Sequence, residues 1–291
     1  MGQTWKIVDL LKTVSEFLDE KGIENPRLNA ELLLGKVLNL NRVNLYVQFE
    51  RPLSRQELDE YRELVRRRAQ HEPLQYLLGE TEFMGLPFKV RSGVLIPRPE
   101  TEILVEETLK LKDALEKPEP LIVDVGSGTG CIAISLAKYW PESKIYATDI
   151  SQTALELIRE NADLNRVTGN IRIIEHDIFT QWDVNLPQAM DILISNPPYI
   201  TLREMDQLPE EIRRFEPGMA LTDQSDGLRF YERFFELIKG HQVRPKYLML
   251  ELSGTQHEQI IEQAKHYGLK NTEIIPDLNH INRVLKIKVD E

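Results

Sequence analysis

The sequence predicts an α/β protein: a parallel sheet with helices on both faces, preceded by a small all-helical module and a β-hairpin. Three observations carry that expectation. From about residue 99 onward, short apolar runs alternate with amphipathic stretches. Residues 1 to about 75 show helical periodicity alone, and between the two regions the pattern turns to alternating apolar residues broken by Gly-containing turns. The expected organisation is therefore residues 1–75 helical, 76–98 hairpin linker, and 99–291 the sheet domain.

In order along the chain, "TWKIVDLLKTVSEFLDEKG" sets Ile7, Leu10, Leu11, Val14, Phe17 and Leu18 on one stripe and stops at Gly22. "NPRLNAELLLGKVL" begins a second helix, with Asn25 as N-cap and Pro26 at the first helical position. Ser54 and Glu57 form a capping box for a helix running to about Gln70, whose Arg66, Arg67 and Arg68 suit its C-terminal dipole. "GETEFMGLPFKVRSGVLIPR" reads as the hairpin. Strands come next at "LIVDV", "KIYATDI", "IRIIEH", "DILISN" and "YLMLELS", with helices at "RPETEILVEETLKLK", "CIAISLAKYW", "QTALELIRENADLN" and "RFYERFFELIKG". "NTEIIPD" and "RVLKIKVD" end the chain as a strand pair.

Bulk properties narrow the function classes. The 291 residues carry a formal net charge of −11, which opposes a sequence-independent grip on nucleic acid. One cysteine, Cys131, excludes an intrachain disulfide and a Cys-rich metal cage, and suits a reducing compartment. No apolar stretch reaches the roughly 20 residues of a membrane helix. The start "MGQTWKIVDL" lacks a signal-peptide core and, with Lys6, a myristoylation pattern. A cytoplasmic monomer is expected. The six histidines lack the spacing of a zinc site, so no metal is expected.

"LIVDVGSGTGCIAISLA" is a strand, a Gly-rich turn and a helix in succession, placing Gly126, Ser127, Gly128, Thr129 and Gly130 where free N–H groups meet an anion. A dinucleotide site wants G-x-G-x-x-G, but here the third glycine comes one residue early and position 131 is Cys. The spacing better suits S-adenosylmethionine. Asp149, ending the next strand, can take ribose hydroxyls or cap the following helix, a task Ser151 can also perform. Asp177 can accept from an adenine amino group beside an apolar wall at Ile178 and Phe179, or stand as a solvated loop residue. All are carboxyl ends of successive parallel strands, the binding edge of an open α/β sheet.

The fourth strand adds "NPPY" to that edge. Two adjacent prolines cannot extend a ladder, so Pro197 and Pro198 end the strand and stiffen the loop. An amide or aromatic amino nitrogen is a poor nucleophile because its lone pair is delocalised. The Asn196 side-chain oxygen and the Pro197 carbonyl can grip its hydrogens and turn the lone pair toward a methyl donor, while Tyr199 stacks on the flat acceptor group. A plain strand-terminating turn is the competing account of the same tetrapeptide.

These segments, with "LIPRPETE" (Leu95 to Glu102), "RFEPGMAL" (Arg214 to Leu221) and the following "DGL", resemble the HemK/PrmC family over nearly the whole chain. The resemblance implies a Rossmann-like class I methyltransferase domain that uses S-adenosylmethionine to methylate the side-chain amide nitrogen of the Gly-Gly-Gln glutamine in peptide-chain release factors. It implies cofactor binding at Gly126 to Gly130, Asp149, Asp177, Ile178 and Asn196, and glutamine binding at Asn196, Pro197, Pro198 and Tyr199. Relatives often carry a larger aromatic at the Ile178 position, and Phe179 or Trp182 can supply it. "DLNHINRVL" departs from the usual Gly-Arg-Asp before Arg283. Arg98 and Glu100 are expected at the pocket rim.

Two rival classes remain at this level. A DNA or RNA amino-methyltransferase meets the same lone-pair problem on an exocyclic base nitrogen, but needs a basic groove. A non-catalytic cofactor-binding scaffold would keep the Gly-rich turn and have no use for Asn196.

Overall fold

The computed structural model describes residues 5–290; Met1–Thr4, on which the signal-peptide and lipidation readings partly fall, and Glu291 lie outside the described residues. The chain divides into two compact units, Met1–Glu80 with Pro209–Phe215, and Thr81–Leu208 with Glu216–Glu291.

The first unit is helical: Ile7–Glu20, Pro26–Leu38, Arg42–Val47, Arg55–Arg68 and Leu74–Leu78. Ile7, Leu11, Leu18, Leu33, Leu34, Leu45 and Tyr61 are buried together, and the Tyr61 hydroxyl donates to the Ala30 carbonyl at 3.0 Å. The Ser54–Glu57 capping box forms as expected. Asn25 sits at the N-cap position in the left-handed region (φ 50°), and its side chain makes no cap bond. Fixed proline geometry at Pro26 starts that helix without it. Glu31 is fully buried and accepts from Arg27 at 2.7 Å, Arg42 at 2.8 Å and the Tyr46 hydroxyl. Those three bonds outweigh desolvation and hold its carboxyl below the usual range. The segment Pro209–Phe215 joins this unit, with Glu211 paired to the buried Arg68 at 2.8 Å.

From Thr81 on, the second unit opens with the hairpin of β1 (Glu80–Phe83) and β2 (Leu86–Lys89), turned through Met84 and Gly85, both at positive φ. Seven further strands form the sheet: β3 (Leu121–Val125), β4 (Lys144–Asp149), β5 (Ile171–Glu175), β6 (Ala189–Ser195), β7 (Arg244–Glu251), β8 (Asn271–Pro276) and β9 (Asn282–Lys288). Their spatial order is β5-β4-β3-β6-β7-β9-β8, parallel through β7, with β9 antiparallel to both neighbours. One apolar layer covers each face, the first centred on helices Glu100–Leu109 and Cys131–Tyr139, the second on Arg229–Lys239. Helix His257–His266 joins the second layer through Ile260 and Ala264. The sequence pattern does not announce this helix, because only those two of its ten residues are buried and its charged remainder reads as loop.

Strand order reverses between β3 and β6. β4 and β5 extend the sheet one way from β3, and β6 and β7 extend it the other way. The connections after β3 and β6 therefore diverge over opposite halves and leave a crevice at their carboxyl ends. The Gly-rich turn and "NPPY" are the two segments that meet there.

Candidate active site

A cavity of about 390 Å³ fills this crevice, within the range of small-molecule sites. Its wall includes Gly126, Ser127, Gly128, Thr129, Asp149, Asp177, Ile178, Asn196, Pro197 and Pro198. Residues from four strand ends are thus brought together. Gly130 and Tyr199 are not on the wall.

The Gly-rich turn is built by local hydrogen bonds. Ser127 N–H donates to the Thr148 carbonyl at 2.8 Å, Thr148 N–H donates back to Ser127 Oγ at 3.1 Å, and Gly130 N–H closes the turn on the Ser127 carbonyl at 2.8 Å. Asp149 completes it. One carboxylate oxygen accepts from Gly128 N–H and the other from Ser151 N–H, each at 2.9 Å. Burial raises Asp149 above the usual carboxylate range, against those backbone bonds. Ser151 itself caps the next helix through Ala154 N–H, so Asp149 is not that cap. Gly130 lies at φ 81°, in the left-handed region that favours glycine, and a Cβ there would also crowd Ile134 Cδ1 at 2.9 Å.

At the far end, Asp177 Oδ1 accepts from Phe179 N–H at 2.9 Å. Ile178 is buried and Phe179 joins it on the wall, where its ring meets Phe230 edge-on at 4.8 Å and carries the Arg229 guanidinium at 4.2 Å. Trp182 is not on the wall. It is buried behind, packed edge-on to His176, with its indole N–H on the Pro187 carbonyl. Phe179 and Phe230 are the aromatics on the wall at this end.

Asn196 follows Ser195, whose hydroxyl donates to the Val125 carbonyl at 2.7 Å and so ties β6 to the start of the Gly-rich turn. Asn196 Nδ2 donates to Thr101 Oγ1 at 3.1 Å. Tyr199 turns its hydroxyl onto Glu251 Oε1 at 3.2 Å and is partly buried. Ile200 then bridges to Thr222, with its N–H on the Leu221 carbonyl at 2.9 Å. Asp223 organises that partner segment by accepting from Ser225, Gly227 and Arg229 N–H groups. Arg98 is on the wall, while Glu100 is not.

Thr101, Phe230 and Asp223 also line the cavity; Thr101 lies within the "LIPRPETE" segment but is not itself singled out by it, and nothing local marks Phe230 or Asp223. Thr101 sits one position into a helix and resembles any first-turn threonine. Cys131 is on the wall too, but burial pushes its thiol up to about 12, far from a nucleophile's range. Among the described residues no group of three His, Cys, Asp or Glu side chains is placed to hold a metal, and no helix is long and apolar enough to cross a membrane.

The cavity fits an adenosyl-amino-acid cofactor on its own terms. A Cβ at Gly126 would meet nothing within 4 Å, and one at Gly128 only Val94 at 3.7 Å, so bare backbone faces open space between two carboxylates. Residues 101–212 match the methyltransferase small domain and residues 9–79 the PrmC N-terminal domain. The N-terminal domain of human METTL16 in complex with SAH superposes with a TM-score of 0.54 at 16% identity, over 96% of this chain and 95% of that one, a likeness of fold. Fold and site together define a class I methyltransferase domain.

The chain is 44% identical to the release factor glutamine methyltransferase of Chlorobaculum tepidum over 234 residues, 79% of each chain. It is 38% identical to that of Geobacter sulfurreducens over 283 residues, 97% of this chain and 96% of the relative. It belongs to the release factor glutamine methyltransferase family.

Proposed function

We propose that this enzyme methylates the side-chain amide nitrogen of the Gly-Gly-Gln glutamine in peptide-chain release factors, with S-adenosylmethionine as donor. The observation that carries the reading is the shared cavity: the Gly-rich turn and Asn196–Pro198 wall one space at the point where strand order reverses. S-adenosylmethionine supplies a methyl group made electrophilic by its sulfonium sulfur. Ser127, Gly128 and Thr129 would receive its amino-acid end and Asp149 its ribose. Asp177, Ile178 and Phe179 would receive the adenine.

Asn196 Oδ1 and the Pro197 carbonyl would accept the two amide hydrogens of glutamine and direct its lone pair at the methyl carbon. With the donor bound, the nitrogen would gain the methyl group as the sulfonium sulfur leaves as a thioether, and the methylated nitrogen would lose one proton to solvent. Positioning and electrostatics suffice, because the freshly methylated nitrogen is cationic and sheds its proton without a strong base. Tyr199 anchors this loop through Glu251. Residues 1–75 and the 76–98 hairpin would serve release-factor docking, and 99–291 the chemistry. The net charge of −11 favours a protein acceptor over DNA or RNA, and a cytoplasmic monomer suits a translation substrate.

Mass spectrometry of purified release factor incubated with enzyme and S-adenosylmethionine should find one added methyl on that glutamine, and none with Asn196→Ala. Methyl transfer to duplex DNA or RNA in preference to release factor would overturn the assignment.

A further inference from the structure

The Asn196 amide has two faces, and only one of them can hold a substrate amide hydrogen. Its Nδ2 is committed to Thr101 Oγ1 at 3.1 Å, and Thr101 is buried. Behind Thr101 lies Glu251, the last residue of β7, also buried. Glu251 Oε1 accepts from the Tyr199 hydroxyl at 3.2 Å. Its other oxygen is buried with no hydrogen-bond partner, and the Thr101 hydroxyl is foremost among the groups that favour its charged form.

We infer that Thr101 and Glu251 are positioning residues that set the direction of the Asn196 amide, so that Oδ1 and not Nδ2 meets the reacting nitrogen. The reason is the direction of protons along the chain. An ionised carboxylate can only accept. The Thr101 proton is therefore drawn toward Glu251, which leaves Thr101 Oγ1 with lone pairs alone on the side of Asn196. Only Nδ2 can satisfy those lone pairs, so Oδ1 turns toward the cavity. The same carboxylate holds Tyr199, and both polar ends of the "NPPY" loop thus answer to one buried charge. This rests on the role proposed above for Asn196.

Protonation of Glu251 would undo the bias, because a carboxylic acid can donate to Thr101 and let Thr101 donate onward to Asn196. Burial pushes Glu251 up to about 7, opposed by Thr101, Tyr199 and the charge of Arg283 on β9. Glu100 adds like charge from the Thr101 helix, and Cys131 and Tyr231 also feel the charge of Glu251. The biased orientation is present above that value and is lost as pH falls through it.

The test uses the full-length enzyme with purified release factor. Thr101→Val keeps the shape and removes the bond to Asn196 together with the hydroxyl that faces Glu251; kcat should fall on the order of 10- to 100-fold, in line with the loss of one oriented polar group. KM for release factor should stay within about two-fold, since uniform binding is untouched. Thr101→Ser should recover most of the loss. Wild-type kcat should decline below a pH near 7, and Glu251→Gln should flatten that limb. Thr101→Val with wild-type kcat, or Thr101→Ser as impaired as Thr101→Val, would overturn the inference. Asn196→Ala separates the two levels: if it retains full activity the functional reading fails, and if it alone is inactive the orienting chain fails.

Discussion

The Arg98 guanidinium meets Glu216 Oε1 at 2.5 Å, joining two segments 118 residues apart. The second Glu216 oxygen accepts from Ile96 N–H at 3.3 Å, so one carboxylate, side chain 1% exposed, holds the backbone and the side chain of the "IPRPETE" segment. Each segment lines the cavity on its own account, through Pro97 and Thr101 on one side and Pro217 and Met219 on the other. The ion pair ties the two segments to each other at the cavity.

Removing Arg98 would leave the Glu216 carboxylate buried beside a single N–H. Arg98→Ala should cost about 3 kcal/mol of stability, read from urea unfolding, together with weaker cofactor binding. A loss below about 1 kcal/mol would mean that water replaces the guanidinium and the pair organises nothing.

Gly227 lies at φ 80°, and a Cβ placed on it would stand 2.3 Å from the Tyr199 carbonyl oxygen. Both partners are backbone, so neither can swing aside. Gly227→Ala should displace the end of the "NPPY" loop, lowering kcat at least about 10-fold while cofactor affinity changes little. Equal losses in kcat and in cofactor binding would point to general unfolding instead.

Asn161, fully buried on helix Gln152–Leu164, accepts from Lys89 N–H at 2.7 Å. It also donates to the carbonyls of Lys89 at 3.1 Å and Thr129 at 2.9 Å, clamping β2 and the Gly-rich turn to one helix. Asn161→Ala strands three backbone groups, at about 1 kcal/mol or more each. The expected outcome is a loss of about 3 kcal/mol and faster hydrogen exchange at Lys89. An unchanged melting temperature would count against the clamp.

Asp124 ends up fully buried beneath the Gly-rich turn, and burial pushes it up to about 7. Its folded value exceeds the unfolded one near 3.8, so its stabilising contribution is complete below 3.8 and fades as pH rises through 7. Asp124→Asn removes that dependence. Relative to the wild type, the variant should gain on the order of 2 kcal/mol between pH 5 and pH 8, measured by denaturant titration without cofactor. A constant difference across that range would show that the carboxyl keeps an ordinary value.

Much of the fold was readable because its signals are local. The strands "LIVDV" and "DILISN" are continuous apolar runs, as strands buried on both faces must be, and the capping box at Ser54 needs only four residues to declare itself. The Gly-rich turn and "NPPY" likewise showed themselves as interruptions at strand ends. Helix His257–His266, by contrast, is too thinly apolar to stand out, and the attachment of Pro209–Phe215 to the helical unit depends on partners more than 100 residues away.

The candidate site divides in the same way. Asn196 and Asp149 were visible as polar residues at strand tips, whereas Thr101, Glu216 and Glu251 matter only through what they touch. Tyr199 was expected against the acceptor, and the partner of its hydroxyl, Glu251, stands 52 residues on where no local pattern could name it. Local sequence determined which segments form strands, turns and caps, because those free energies are decided within a few residues. The strand order, the burial of charge and the directions of the hydrogen bonds were settled only when the chain packed, since desolvation and pairing depend on neighbours that sequence distance does not reveal.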